Sequence, residues 1–127
     1  MITALIETNV VVDVIRGYPP ALAWLQAQNQ PTLGITPIIW MEVITGGSNK
    51  IRRLRAAQFM AAFEMIYLTQ ADLDWAMAMQ MRYELSHCVG MMDCLIASIS
   101  HRLQVPLYTR NLKHLAPLVG NLAQTPY

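Results

Sequence analysis

Charged residues are scarce in this chain. Only 13% of its 127 residues are Asp, Glu, Lys or Arg, whereas 54% are hydrophobic, and a typical soluble domain carries about 25% charged residues. So apolar a composition excludes an intrinsically disordered chain, because there is ample side-chain surface to bury. It predicts a well-packed interior and is compatible with an apolar face covered by a partner.

An excess of charge of either sign is also missing. The formal net charge is +1, so the chain lacks the positive field of a purely electrostatic nucleic-acid binder. Its first ten residues, MITALIETNV, have no basic region ahead of the apolar ones and do not resemble a signal peptide. No apolar run approaches the roughly 20 residues that span a bilayer. Any contact with nucleic acid must come from local patches, and no membrane association is expected.

Cysteine is nearly absent. Cys88 and Cys94 match no disulfide-rich or CxxC pattern, which favours a reduced, cytoplasmic compartment. A zinc site that adds His87 and His101 is disfavoured because the spacing fits no common set of zinc ligands. We interpret the two cysteines as buried or inert thiols.

The length fits a single domain, residues 1–127, in which short strands alternate with longer helices. Apolar runs predict strands at 3–6, 32–35, 65–68 and 105–109, and an edge strand near residue 122. Start and stop signals predict helices at 9–16, 20–28 and 37–45, a helix capped by Ser48 that runs to about 64, and helices from 70 onwards and at 91–103. This alternation indicates an α/β fold whose mostly parallel sheet is covered on both faces.

A methionine-rich stripe follows a predicted capping box at positions 69–72. Its apolar residues recur at every fourth position: Leu73, Met77, Met81 and Leu85. We interpret the stripe as core packing rather than as a binding surface, because methionine readily fills irregular gaps in a core.

Three of the eight acidic residues lie in apolar surroundings. Glu7 follows the first predicted strand, Glu42 lies one helical turn after two isoleucines, and Asp93 begins an otherwise apolar helix. Ligands of open parallel sheets lie outside the carboxyl ends of the strands, where these acids are expected to meet. Glu7 and Asp93 could instead be simple helix-capping acids. Glu42 has no Arg or Lys within a turn to offset its burial.

Three carboxylates at one sheet edge would repel one another and raise each other's pKa values. A divalent cation removes this repulsion. Mg²⁺ prefers oxygen ligands, binds one or two carboxylates directly and keeps several waters. Because such an ion generates a nucleophilic water and stabilises charge on a phosphoryl oxygen, the pattern points to metal-assisted hydrolysis of a phosphate ester.

Four segments resemble, in order and spacing, the PIN domain and particularly the VapC-type toxins of bacterial toxin–antitoxin pairs: ALIETNVVVDVIRG, ITPIIWMEVITG, GMMDCLIASIS and PLYTRNLKHL. The resemblance covers nearly the whole chain. It implies a three-layer α/β/α domain that cleaves RNA with Mg²⁺ or Mn²⁺. It further implies a homodimer and a cognate antitoxin that blocks the active-site groove.

The resemblance also assigns roles to residues. It implies that Glu7, Glu42 and Asp93 are the acidic, metal-binding set, and that Asn111 is a fourth catalytic residue that polarises or orients water. Relatives carry Asp or Asn at this fourth position.

Neighbouring polar residues fall at positions that would orient a carboxylate or a bound water: Thr8, Asn9 and Thr109. Arg110 is a candidate contact for the scissile phosphate. The basic run at 50–55, in NKIRRLR, is interpreted as a solvated helix face, with RNA phosphates as the alternative partner.

Two further polar residues are given no catalytic role. Asp13 is expected to pair with Arg16 on the helix surface. His114 is interpreted as exposed and unassigned.

One position departs from the family pattern, since its first acid is usually Asp and here is Glu7. The added methylene moves the carboxylate by about one C–C bond, whereas Mg²⁺ tolerates only small errors around its roughly 2.0–2.1 Å ligand distance. Misplacements of this kind can lower a rate about 10²-fold. We therefore expect an attenuated ribonuclease. The alternatives are an inactive PIN module that binds RNA or a protein, and an aspartyl-phosphate enzyme, which would need Asp at this strand end.

Overall fold

The computed structural model describes residues 1–28 and 32–127. Its elements are, in order, β1 (Ala4–Ile6), α1 (Thr8–Ile15), α2 (Pro19–Ala27), β2 (Leu33–Ile35), α3 (Pro37–Thr45), α4 (Lys50–Met60), β3 (Glu64–Met65), α5 (Gln70–His87), α6 (Met91–Leu103), β4 (Leu107–Tyr108), α7 (Leu112–Val119) and β5 (Ala123–Gln124). A 3₁₀ turn at Gly120–Leu122 joins α7 to β5. Among the described residues, no helix is long and apolar enough to cross a membrane.

The strands form one parallel sheet in the order β3-β2-β1-β4-β5. Strand β1 is central: Leu5 pairs with Gly34 on one side and with Leu107 on the other. Helix α1 packs on α2 and α3, and α5 packs along α6, which in turn contacts α7. The predicted three-layer α/β/α architecture is confirmed, and β5 is the edge strand expected near residue 122.

The core lies between the central strands and helices α3, α6 and α7. Its largest fully buried side chains include Leu5, Ile6, Ile35, Ile39, Ile96, Ile99, Leu107 and Leu115. Two buried serines on α6 donate hydrogen bonds to backbone carbonyl oxygens, Ser98 to Leu95 and Ser100 to Val105, both at 2.7 Å. Because their hydroxyls have partners, α6 can be buried at little polar cost.

Most of the predicted helix starts are present. Thr36 caps α3 by accepting from the Ile39 N–H at 3.2 Å, and the capping box between Thr69 and Asp72 is complete. The predicted cap of α4, Ser48, is wrong. Asn49 accepts from the backbone N–H of the third residue of that helix instead. Ser and Asn cap helices about equally well, so adjacent candidates could not be separated by residue type.

The second half of the chain departs more from prediction. Helix α4 ends at Met60 rather than near 64, and β3 is a two-residue strand at Glu64–Met65 rather than 65–68. Helix α7 was not predicted. It contains Pro117, whose missing N–H weakens any helical pattern, although its apolar residues do lie on one face.

The interpretation of the α5 stripe as core is wrong. Met81 is 89% exposed and Leu85 is 97% exposed. The residues of α5 that face the core are offset from the stripe: Asp72, Trp75, Ala76, Met79 and Tyr83. A repeat of four residues drifts about 40° per step around a helix of 3.6 residues per turn, so its hydrophobicity alone did not identify the buried face.

Candidate active site

Two neighbouring strands bring Glu7 and Thr109 together. Glu7 follows β1 and Thr109 follows β4, and the Glu7 backbone N–H continues the ladder by donating to the Tyr108 carbonyl oxygen at 2.9 Å. The Thr109 hydroxyl donates to Glu7 Oε2 at 2.9 Å. Parallel strands end at the same edge of a sheet, and this contact therefore fixes the first acid at that edge.

Glu7 is a buried carboxylate that lies near two other acids, Glu42 and Asp93. Only 7% of it is exposed. Burial is the largest cause that raises its pKa to about 7, the Thr109 hydrogen bond opposes this, and the charges of Asp93 and Glu42 raise the pKa further. No cationic side chain is among the groups that shift it. Glu7 is thus close enough to both of the other predicted acids for their charges to act on it.

Glu42 approaches this edge from α3. Its Oε1 accepts a hydrogen bond from the Thr8 hydroxyl at 2.6 Å, and the side chain is half-buried. In the described part of the chain, neither Glu42 nor Glu7 forms an ion pair with Lys or Arg. Thr8, at the first turn of α1, therefore supports Glu42 as Thr109 supports Glu7.

Asp93 caps the start of α6 and also lies close to His114. The backbone N–H of Gly90 donates to its Oδ2 at 3.0 Å, so the carboxylate does close the start of α6. His114 Nδ1 lies 3.6 Å from the same oxygen, and the Asn111 amide nitrogen lies 3.1 Å from that ring nitrogen. Asn111 is thus connected to Asp93 through His114.

His114 is the residue of this site that sequence reasoning missed. It is half-buried, not exposed as expected. The available signal was its spacing: three residues after Asn111, it shares a helix face with it, but only if the segment is a helix. Because α7 was not predicted, the two side chains were not placed together.

The remaining predicted polar residues divide into two groups. Thr8 and Thr109 touch the acids as expected. Asn9 accepts from the Arg110 backbone N–H at 3.2 Å and makes a smaller lowering contribution to the pKa of Glu7. The Arg110 guanidinium is paired with Asp13 at 2.8 Å, so it is engaged within the protein. Within the described residues the ion pair of Asp13 is with Arg110 and not with the expected Arg16, although the charge of Arg16 also acts to lower the pKa of Asp13.

The acidic residues suit a hard cation in their chemistry. All of their donors are oxygens, and Glu7 is a buried carboxylate whose repulsion by two others a divalent ion would relieve. Within residues 1–28 and 32–127, however, no three His, Cys, Asp or Glu side chains lie close enough to ligate one ion directly.

Two hollows lie along α3. A small one of about 180 Å³ beside Glu42 is lined by apolar side chains that include Met41 and Met92. A larger cleft of about 610 Å³ lies between α1, α3 and α4. Its floor is apolar and its rim carries three arginines: Arg16, Arg52 and Arg55. The basic run on α4 is exposed, as predicted.

A parallel α/β/α domain with repelling carboxylates at the carboxyl edge of its sheet defines a class of protein suited to metal-assisted phosphate chemistry. Residues 4–116 match the family model of the PIN domain, and the chain belongs to that family. The predicted resemblance is confirmed, and the family is generally one of nucleases. No match was found among curated proteins.

Solved structures with the same fold include toxin–antitoxin complexes. A toxin–antitoxin complex from Klebsiella pneumoniae is 27% identical over 98% of each chain, with a TM-score of 0.81. VapBC2 from Rickettsia felis, bound to a promoter DNA fragment, is 25% identical over 89% of this chain and 90% of that one, with a TM-score of 0.71. DNA-bound VapBC from Salmonella typhimurium, at 21% identity over both whole chains and a TM-score of 0.79, shows the fold alone.

Proposed function

We propose that residues 1–127 form a single PIN domain that acts as a metal-dependent endoribonuclease, the toxin of a toxin–antitoxin pair. The observation that supports this best is Glu7: a buried carboxylate at the sheet edge, repelled by Asp93 and Glu42 and, among the described residues, without an ion pair to Lys or Arg. Such a group destabilises the fold at neutral pH unless a cation binds. The family supplies the reaction class, and the site supplies a reason for the metal.

In this proposal Glu7, Glu42 and Asp93 hold Mg²⁺ or Mn²⁺, one or two of them directly and the rest through water. The bound ion would supply an acidified water and stabilise charge on a phosphoryl oxygen. The hydroxyls of Thr8 and Thr109 hold two of the carboxylates in place. Groups of this kind commonly set the orientation of metal ligands.

Asn111 and His114 act on the other side of Asp93 in this proposal. The amide of Asn111 is available to orient a water, while its contact with His114 keeps it next to the acid. Arg110 is a weaker candidate for the scissile phosphate than its sequence position suggested, because its guanidinium already binds Asp13.

An antitoxin is the proposed occupant of the larger cleft. The relatives at 25% identity and above are toxin–antitoxin or VapBC complexes. The cleft combines an apolar floor with an arginine rim, which suits an amphipathic segment that carries acidic side chains.

A homodimer is the second proposed assembly. The stripe on α5 is exposed and apolar, and a two-fold interface requires a surface that is complementary to itself. Leu73, Met77, Met81 and Leu85 read the same in both directions, so antiparallel packing of two copies pairs Leu with Leu and Met with Met. Light scattering should find a dimer that the double variant Met81→Ser, Leu85→Ser converts to monomer. A monomeric parent protein contradicts this.

The decisive experiment is an RNA-cleavage assay. Purified protein is incubated with transfer and ribosomal RNA plus Mg²⁺ or Mn²⁺, with and without a chelator, beside the variant Glu7→Asp. We expect cleavage that the chelator abolishes, and a rate that rises by up to about 10²-fold in Glu7→Asp because the shorter acid restores the family geometry. Intact RNA with both forms and every ion would overturn the proposal.

The second candidate function is a PIN module that binds RNA or a protein without cleaving it. Two observations favour it: Glu stands at position 7, and the described residues form no direct three-ligand cluster. Calorimetric titration with Mn²⁺ separates the two candidates. An inactive module should bind the ion poorly and leave RNA intact. Its Glu7→Asp variant should bind the ion and cleave RNA.

A further inference from the structure

Asp13 is the centre of a contact cluster outside the acidic set. Arg110 Nη1 donates to its Oδ2 at 2.8 Å, and the Tyr127 hydroxyl donates to the same oxygen at 2.6 Å. The guanidinium carbon lies 5.4 Å from the ring centroid of Tyr18 and 5.7 Å from that of Tyr127. Ion pair, hydrogen bond and cation–π contacts therefore confine the Arg110 side chain from several directions.

The cluster joins three distant parts of the chain. Asp13 lies on α1, Tyr18 precedes α2, Arg110 follows β4 and Tyr127 follows β5. The Asp13 side chain is 16% exposed and that of Arg110 is 47% exposed. An ion pair this open to solvent contributes little to the stability of a fold, so its main effect is expected to be local.

Arg110 lies between two residues of the candidate active site. Thr109, before it, donates to Glu7, and Asn111, after it, donates its backbone N–H to Thr109 Oγ1 at 2.8 Å. The Arg110 backbone N–H itself donates to Asn9. Both the main chain and the side chain of Arg110 are thus tied to α1, the helix that begins directly after Glu7.

We propose that Asp13 is a positioning residue for the active site, an inference that rests on the proposed nuclease function. By holding Arg110, Asp13 fixes the segment 109–111 against α1. Thr109 is thereby kept on Glu7, and Asn111 is kept beside His114. Tyr127 completes the hold by donating to the same Asp13 oxygen.

The first test separates positioning from RNA binding. Asp13→Asn keeps the shape of the side chain and removes its charge, and Asp74→Asn, on the exposed face of α5, is the matched control. RNA cleavage with Mn²⁺ is measured in the Glu7→Asp background if the parent is slow. We expect kcat to fall about tenfold in Asp13→Asn with KM within about twofold, since misplacement lowers the rate more than binding. Tyr127→Phe should show a smaller fall, and the control no change.

Two kinetic outcomes contradict the inference. An unchanged kcat would mean that the cluster does not position the segment. A raised KM with unchanged kcat would mean that Arg110 contacts RNA and that Asp13 only competes for it.

The second test needs neither RNA nor metal. Hydrogen exchange of the Arg110 and Asn111 amides is followed in the parent, in Asp13→Asn and in Tyr127→Phe. We expect about tenfold faster exchange in Asp13→Asn and an intermediate rate in Tyr127→Phe, with the rest of the sheet unchanged. If Asp13→Asn does not fold, Tyr127→Phe alone still tests the inference. Unchanged exchange overturns the positioning role. Faster exchange in a protein that never cleaves RNA overturns only the nuclease function.

Discussion

Glu7 lies directly before helix α1 and Asp13 lies on it, and the pKa values of these two carboxylates are shifted in opposite directions. Glu7 is buried among acids, which raises its pKa to about 7. Burial also acts to raise the pKa of Asp13, but the hydrogen bonds from Tyr127 and Arg110 and the charge of Arg110 outweigh it, and the net pKa is lowered. Asp13 forms an ion pair with Arg110, whereas Glu7 forms no ion pair with Lys or Arg in the described part of the chain.

This difference separates a structural carboxylate from a functional one. Asp13 has its counter-charge and two donors already, so it gains nothing from a ligand. Glu7 has one hydroxyl donor and two repelling neighbours, so a divalent ion would stabilise it. In sequence the two look alike, since each follows an apolar segment that includes valine or isoleucine.

The largest expected effect is the loss of catalysis when Asp93 is changed. Asp93 is one of the two acids whose charge raises the pKa of Glu7. Asp93→Asn keeps an oxygen that can accept from the Gly90 N–H, so α6 should still form, but it removes the charge. We expect RNA cleavage to fall roughly 10²–10³-fold while the melting temperature stays near that of the parent. Asp74→Asn is the matched control. Cleavage within about threefold of the parent would remove Asp93 from the acidic set.

The next largest effect is the change in stability when Glu7 alone is replaced. Its folded pKa of about 7 exceeds the usual 4.5 of a glutamate, so the folded state binds more protons and stability falls as the pH rises between these values. The difference of about 2.5 pKa units corresponds to about 3 kcal/mol. Glu7→Gln should therefore be more stable than the parent by up to this amount above pH 7 in chelator.

Urea unfolding between pH 4.5 and 8 checks this prediction. The curves of parent and Glu7→Gln should diverge as the pH rises, and Asp13→Asn should not reproduce the effect. Parallel curves across the range would mean that Glu7 is not under the repulsion inferred from its surroundings.

A bound metal ion should give Glu7 the counter-charge that Arg110 gives Asp13. An ion that binds only the folded state stabilises it by about 2.7 kcal/mol at 100 times its Kd. Because protons compete for Glu7, Mn²⁺ should stabilise the parent more at pH 7.5 than at pH 5.5, and Glu7→Gln should lose most of that difference. Thermal melting in Mn²⁺ and in chelator measures it. Equal stabilisation at both pH values argues for binding elsewhere.

The sequence was sufficient for most of the sheet. Short apolar runs identified the strands, and the rule that ligands of parallel sheets lie outside the carboxyl ends of the strands predicted Glu7 at this edge. Thr109 was assigned only by the family resemblance, and its contact with Glu7 was not predicted. The buried face of α5 was predicted wrongly, because the exposed face carries a regular stripe of Leu and Met residues. Hydrophobicity indicates which residues can be buried, but a partner can cover an apolar face as well as a core can.

Contacts between distant residues were beyond prediction. Asp13 was paired with Arg16, its neighbour on the helix, because local spacing is all that a single sequence offers. Its observed donors, Arg110 and Tyr127, lie 97 and 114 residues away. His114 was missed for a related reason, since its contact with Asn111 depends on a helix whose pattern Pro117 obscures.

The smallest expected effect comes from Asp13 and has the opposite sign to that of Glu7. Its folded pKa lies below the usual 3.8, so its contribution to stability is present above the unfolded pKa and is lost as the pH falls through the folded one. Asp13→Asn should therefore destabilise the protein at pH 7, less than Glu7→Gln stabilises it, and the difference should shrink below about pH 4 and in 1 M salt, because exposed ion pairs are screened. Urea unfolding of both variants beside Asp74→Asn measures the two signs together. If Asp13→Asn were the more stable protein at pH 7, Asp13 would share the strained state of Glu7, and the contrast between the two carboxylates would disappear.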